Sequence, residues 1–399
     1  RRRRMDAGAP GLWLRLTAVA AATASGVAVV SGGNGHVHRA LAFVGLPLLA
    51  ALAVMAWVAY RRLLPATASA LALFLAALGT WWSRPLHLAL AALAFAAAVT
   101  LAATALRGGT AVRGAWRDYL VLTKPRVMTL LLLTGAAGMF VGEGGVPALG
   151  DLGIMLAGLA LACGGASALN HVLDRDIDRV MGARTQSRPV AAGRVPPALA
   201  FEYGLALSAA SFVLLAALLN PLAALLALAG NCFYVLVYTR WLKRATPQNI
   251  VIGGAAGAVP PLVGWAAATG DLALPALFLF LVILIWTPPH FWALALLLRR
   301  EYARAGVPML PVVRGARETA RQILLYTAGL VALTLVPLGW RIFGPFYLGV
   351  AAILGAGFLA LAWSLRQETT PRRAALVFHY SLVYLAILFS SMAIDPLLL

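Results

Sequence analysis

The sequence predicts an all-α, polytopic membrane protein, and three observations carry that prediction. Hydrophobic residues make up 62% of the 399 residues and charged residues only 11%, far from the roughly one-quarter charged composition of a soluble domain. Apolar runs long enough to cross a bilayer begin near residues 11, 40, 64 and 87, and again near 119, 152, 199, 221, 250, 273, 322, 345 and 376, which gives thirteen spans. The basic residues recur in short segments between alternate spans instead of forming one patch.

Taken in order, the first four spans form a predicted four-helix membrane bundle over residues 5–110. The first is expected to stay in the chain, since it is too long and followed by too many others to be a cleaved signal peptide. A short basic, Gly-containing connector, RGGTAVRGAWRD (107–118), separates it from nine further helices over residues 117–399. The longest polar interruptions in that second module follow its second and sixth helices, and long charged loops in compact membrane proteins tend to carry function.

The net charge of +19 does not indicate a nucleic-acid partner, because the basic residues are dispersed along the chain. It sets topology instead, with the lipid bilayer as the partner. With a cytoplasmic N-terminus, 29 of the 32 Lys and Arg fall on the cytoplasmic side, leaving Arg39, Arg84 and Arg341 opposite. The segments 174–194, 240–244 and 299–321 are then expected at the cytoplasmic face of the cell membrane. Cys163 and Cys232 lie inside spans, where a thiol acts as a small apolar residue.

Asn170, Asp174 and Asp178 are spaced i, i+4, i+8 just where a long apolar run ends, so on a helix they form one stripe about 12 Å long. Only 13 acidic residues occur in the chain, and two of them are on this stripe. Carboxylates here, followed by Arg179, Arg184 and Arg188, point to a divalent-cation site facing an anionic, oxygen-rich ligand such as a diphosphate; the alternative is a solvated helix end with ordinary salt bridges. Asp176 is rotated by about 200° from Asp174 and is expected to face Arg175 or Arg179. Arg184 and Arg188, four residues apart, offer the fork geometry that suits phosphate.

The next polar segment sets Lys243 and Arg244 ahead of a helix that Pro247 can start, in which Gly253, Gly254 and Gly257 allow close approach of a helix or a flat ligand. The sixth span of this module places His290 among Trp286, Phe291 and Trp292. An ionisable residue within a span is a functional candidate, and histidine can bind haem iron; a neutral, hydrogen-bonded core histidine is the competing reading. Glu301 and Tyr302 are the acidic and phenolic groups of the loop that follows.

The Asn-x3-Asp-x3-Asp pattern after the second helix, with a second polar loop after the sixth, resembles the UbiA-type intramembrane prenyltransferases. The strings LTKPRV (122–127), TPQNIVIGGAAGA (246–258), WTPPHFWALAL (286–296) and AGVPMLPVV (305–313) are similar to the protoheme IX farnesyltransferase family, over residues 117–399. That resemblance implies a nine-helix bundle that joins farnesyl diphosphate to a vinyl group of haem b. It implies Mg2+ bridging Asp174 and Asp178 to the diphosphate, with Asn170 orienting or sharing the metal. Lys124, Arg184, Arg188, Lys243 and Arg244 would neutralise phosphate oxygens, and His290, Glu301 and Tyr302 would line the substrate site. Many members of the wider superfamily carry a second aspartate pair in the later loop; here Glu301 stands with Ala305 four residues on, which argues against a second fully liganded metal.

Residues 11–106 resemble one four-helix half of haem A synthase. His38 and His87 stand at the starts of alternate spans on one expected membrane face and are the candidate haem ligands there, with haem A synthase itself a candidate partner. Two other functions compete with farnesyl transfer to haem: another intramembrane aromatic prenyltransferase, and a non-catalytic haem-binding membrane protein.

Overall fold

Backbone N–H and C=O groups inside a bilayer must be satisfied within the chain, and the computed structural model meets that demand with helices. It describes residues 116–339 and 343–398. The expected four-helix segment at 5–110, with His38 and His87, lies outside the described residues.

A short helix, α1 (Trp116–Leu122), leads through Thr123 and Lys124 into α2 (Pro125–Glu143). The long α3 (Leu149–Leu173) is followed by two short helices, α4 (Arg175–Met181) and α5 (Ala183–Gln186). Then come α6 (Pro197–Leu218) and α7 (Pro221–Cys232). Helix α7 runs on as a π-helix (Phe233–Leu242) and ends as α8 (Lys243–Ala245), so Pro221–Ala245 is one continuous span. Helices α9 (Asn249–Thr269) and α10 (Leu274–Leu297) precede the second polar segment, which holds α11 (Arg299–Arg304) and α12 (Leu310–Val313). The bundle closes with α13 (Gly315–Leu335), α14 (Pro345–Gln367) and α15 (Pro371–Ile394).

Among the described residues, nine long helices match the nine spans expected after residue 116 in order, and eight of them are long and apolar enough to cross a membrane. The ninth, α13, opens with Arg317, Glu318 and Arg321, so its apolar stretch begins two turns in, near the 322 start read from the sequence. Local chemistry explains the boundaries. Proline occupies the first turn of α2, α6, α7, α10, α14 and α15, where its missing N–H costs nothing and its fixed φ suits the helix. Asn220 caps α7 by accepting from the Ala223 N–H at 2.9 Å. Helix α9 starts at Asn249 and not at Pro247, because Thr246–Gln248 form a turn that the Asn249 side chain ties to the Thr246 carbonyl at 2.5 Å.

Helix α9 lies against α2, α7 and α10, and α15 returns to α2 and α10, which closes the bundle. The α2–α9 crossing is made by glycine. A Cβ on Gly264 would collide with the Gly135 carbonyl, and one on Gly138 with the Pro261 backbone, so the two backbones approach as closely as small residues permit. Of the three glycines expected to serve close approach, Gly253 packs on the Tyr238 ring and Gly254 on Thr287, whereas Gly257 faces open space.

Candidate active site

The site is built where α3 ends beside the π-helix. At Asp174 (φ −90°, ψ 4°) the helix breaks, so the expected continuous stripe is divided between α3 and α4. The four-residue spacing survives, because the Asp174 N–H still donates to the Asn170 carbonyl at 2.9 Å and the Asp178 N–H to the Asp174 carbonyl at 2.8 Å. Asp174 and Asp178 are 0% and 1% exposed.

Two parallel four-residue steps meet here. The Asn170 amide nitrogen donates to Asp174 Oδ2 at 2.8 Å and to Thr239 Oγ1 at 3.1 Å. Lys243 Nζ donates to the same Asp174 Oδ2 at 2.5 Å. Thr239 belongs to the π-helix, a geometry often found at functional sites, Lys243 opens α8 directly after it, and the two stand opposite Asn170 and Asp174 in register. The Asn170 amide oxygen accepts from Lys124 Nζ at 2.8 Å. Both ends of the Asn170 amide are therefore engaged, which makes it an orienting group.

Lys124 reaches Asn170 from an uncommon backbone conformation: its φ of 50° is left-handed, directly ahead of Pro125. Non-glycine residues held there carry strain that tends to collect at functional sites. Burial, with the Arg188 cation beside it, pushes the Lys124 ammonium down to about 7 despite the nearby Asp174.

Arg188 closes the other side. The polar loop folds back through Thr185, whose hydroxyl donates to the Asp178 carbonyl at 3.0 Å, and Arg188 then donates to Asp178 Oδ1 at 2.6 Å. Burial raises the Asp178 carboxyl above its ordinary range and outweighs the opposing pull of Arg188. Arg184 and Arg188 lie on either side of the end of α5: Arg188 turns inward and Arg184 stays exposed.

Asp176 does leave the stripe, as its helical rotation requires, yet its partner is neither Arg175 nor Arg179. Arg244 grips it with two bonds of 2.7 Å and also donates to the Leu173 carbonyl at 2.8 Å. This pair holds the Asp176 carboxyl well below the usual carboxylate range. Arg244 Nη2 also stands 4.0 Å from Asp174 Oδ1, outside hydrogen-bond range, so in this arrangement Arg244 works as a strut between α3 and α4.

Glu301 lies against Gly182, where a Cβ would sit 2.9 Å from its Oε2. Tyr302 is buried, its phenol raised by burial and acted on by Lys243, Arg188 and Arg184. His290 sits inside the bundle in aromatic surroundings, its ring stacked between Trp286 and Phe378 at 4.4 and 4.8 Å and its Nδ1 2.7 Å from Ser381 Oγ. That is the geometry of a hydrogen-bonded core histidine. Thr239 escaped the sequence reading, although it was signalled by its own four-residue step to Lys243, matching that of Asn170 to Asp174.

The donor set fits a single magnesium ion. Asp174 Oδ1 and Asp178 Oδ2 are buried and without a hydrogen-bond partner, so each carboxylate keeps one oxygen for a cation. No group of three or more His, Cys, Asp or Glu side chains is placed to hold a metal among the described residues. Two carboxylates suit Mg2+, which characteristically takes its other ligands from substrate phosphates and water.

Residues 131–388 match the UbiA prenyltransferase family model. The chain is 52% identical over 281 residues to the protoheme IX farnesyltransferase of Symbiobacterium thermophilum, covering 70% of this chain and 94% of that one. It is 43% identical over 405 residues to that of Roseiflexus castenholzii, covering 90% of this chain and 75% of the relative, more of this chain than residues 116–399 alone supply. Among solved structures, the fold is shared with a UbiA homologue from Archaeoglobus fulgidus bound to DMAPP and Mg2+, with a TM-score of 0.53 and 19% identity over 68% of this chain and 99% of that one. The buried carboxylate pair, the bundle that presents it and these relationships place the chain in the UbiA prenyltransferase family, among its protoheme IX farnesyltransferases.

Proposed function

We propose that the chain transfers the farnesyl group of farnesyl diphosphate to a vinyl group of haem b, releasing diphosphate and forming haem O. The observation that carries this reading is the pair of buried carboxylates, each held by a cation on one oxygen and open on the other, at the end of a membrane helix. The C1–O bond of farnesyl diphosphate breaks, and its electron pair leaves with the diphosphate. The haem vinyl carbon forms the new bond to C1, and water captures the resulting porphyrin-stabilised cation with loss of a proton.

The chain's task is to hold the leaving group and stabilise its growing charge. Lys124, Lys243 and Arg188 surround the carboxylates and can turn toward phosphate oxygens, with Arg188 offering two donors in a fixed fork. Asn170 and Thr239 fix the rotamer of Asp174. Mg2+ bound by Asp174, Asp178 and the diphosphate would supply Lewis-acid stabilisation of the departing oxygens. The apolar helices accept the farnesyl tail, and the buried site limits premature capture of the allylic cation by water.

The Lys and Arg asymmetry supports a cytoplasmic position for this site in the cell inner membrane. Residues 5–110 are read as a four-helix bundle that binds haem through His38 and His87, with haem A synthase as the enzyme that would receive the product. Mass spectrometry of haem extracted from membranes containing the chain, supplied with farnesyl diphosphate, tests the reaction. Haem gaining a hydroxyethylfarnesyl group is the expected result; unchanged haem with prenylated 4-hydroxybenzoate would assign the chain to the aromatic prenyltransferases.

A further inference from the structure

His171 is 1% exposed, and neither of its ring nitrogens has a hydrogen-bond partner. Burying an imidazole without partners is costly, and such groups call for a specific explanation. Seven buried side-chain polar atoms lack partners among the described residues, and four of them are His171 Nδ1, His171 Nε2, Asp174 Oδ1 and Asp178 Oδ2. Most of the unmet hydrogen-bonding capacity is therefore concentrated on two helical turns of one site.

The character of these groups identifies the ligand. His171 follows Asn170 on α3 and lies about 60° in helical projection from Asp174. A neutral imidazole has one N–H to donate and one lone pair. Magnesium prefers oxygen ligands, so a nitrogen donor at this site is left to the anionic ligand. Resting on the function proposed above, we infer that His171 is a further diphosphate-binding residue, whose ring N–H donates to a phosphate oxygen of the ligand at the Asp174–Asp178 site.

Binding of inorganic pyrophosphate with Mg2+ to the full-length protein in detergent, measured by calorimetry, tests this without turnover. His171→Phe and His171→Leu both remove the donor, so either folded variant suffices; His171→Gln keeps an N–H near the Nε2 position. The apolar variants are expected to bind pyrophosphate about 10- to 100-fold more weakly, while unfolding in the ligand-free state at or above the wild-type temperature, because two unsatisfied nitrogens are gone. His171→Gln is expected to recover most of the affinity. Wild-type affinity in the apolar variants, or weakening matched by lower ligand-free stability and no recovery in His171→Gln, would overturn the inference. Asp174→Asn serves as the control: if it loses pyrophosphate binding while His171→Phe does not, the site reading stands and only the role of His171 fails. Unchanged binding in both removes the site reading itself.

Discussion

Lys243 Nζ donates to Asp174 Oδ2 at 2.5 Å across 69 residues of chain, with both side chains withdrawn from solvent. Removing one partner of a buried pair strands the other charge and costs about 3–5 kcal/mol. Lys243→Met is therefore expected to lower the thermal midpoint in detergent and to abolish farnesyl transfer. The double variant Lys243→Met with Asp174→Leu should regain stability but not activity. Equal stability of Lys243→Met and wild type would show that the pair contributes only to chemistry.

Asp174→Asn and Asp178→Asn should each reduce haem O formation to background, since an amide cannot replace a carboxylate's charge toward magnesium. Asp176→Asn should leave most activity, because Asp176 forms a solvent-exposed pair with Arg244 of a kind worth about 0–1 kcal/mol. Comparable losses at all three positions in a membrane assay of haem O would contradict the division between the buried and exposed carboxylates.

Arg188 touches Asp178 whereas Arg184 points to solvent, so the two arginines should separate kinetically. Arg188→Ala is expected to raise the KM for farnesyl diphosphate by about tenfold or more, the equivalent of one charged hydrogen bond, with the haem dependence unchanged. Arg188→Lys should restore part of the loss, because lysine lacks the fork. Arg184→Ala should stay within about threefold of wild type; a larger effect there than at position 188 would reverse the assignment.

His290 is held by stacking and by Ser381, which sets two readings of it apart. His290→Ala should destabilise the bundle by about 2–5 kcal/mol through the cavity left between Trp286 and Phe378. His290→Phe restores ring volume. A raised KM for haem in the Phe variant would support a substrate-facing role, and wild-type kinetics would leave His290 as packing alone.

In the full chain, His38→Ala and His87→Ala should each remove a low-spin bis-histidine haem spectrum while farnesyl transfer continues. An unaltered spectrum in both variants would remove the proposed haem ligands of residues 5–110.

Periodicity and composition by themselves determined the helical, membrane-spanning character of this chain, the order of the nine long helices described after residue 116, and the four-residue spacing of Asn170, Asp174 and Asp178. Those are local properties: an apolar run of sufficient length must become a helix in lipid, and 3.6 residues per turn decide which side chains share a face. The partners were decided only by tertiary structure. Thr239 and Lys243 oppose Asn170 and Asp174 because the span from Pro221 continues as a π-helix, a register no hydrophobic pattern encodes. Asp176 finds Arg244 instead of its neighbours because packing brings the end of that span against the break at Asp174. Arg188 turns inward and Arg184 outward because Thr185 ties the loop to Asp178. The sequence marks His171 only as one more residue near a helix end, because an unmet hydrogen bond exists only once every neighbour has taken its place.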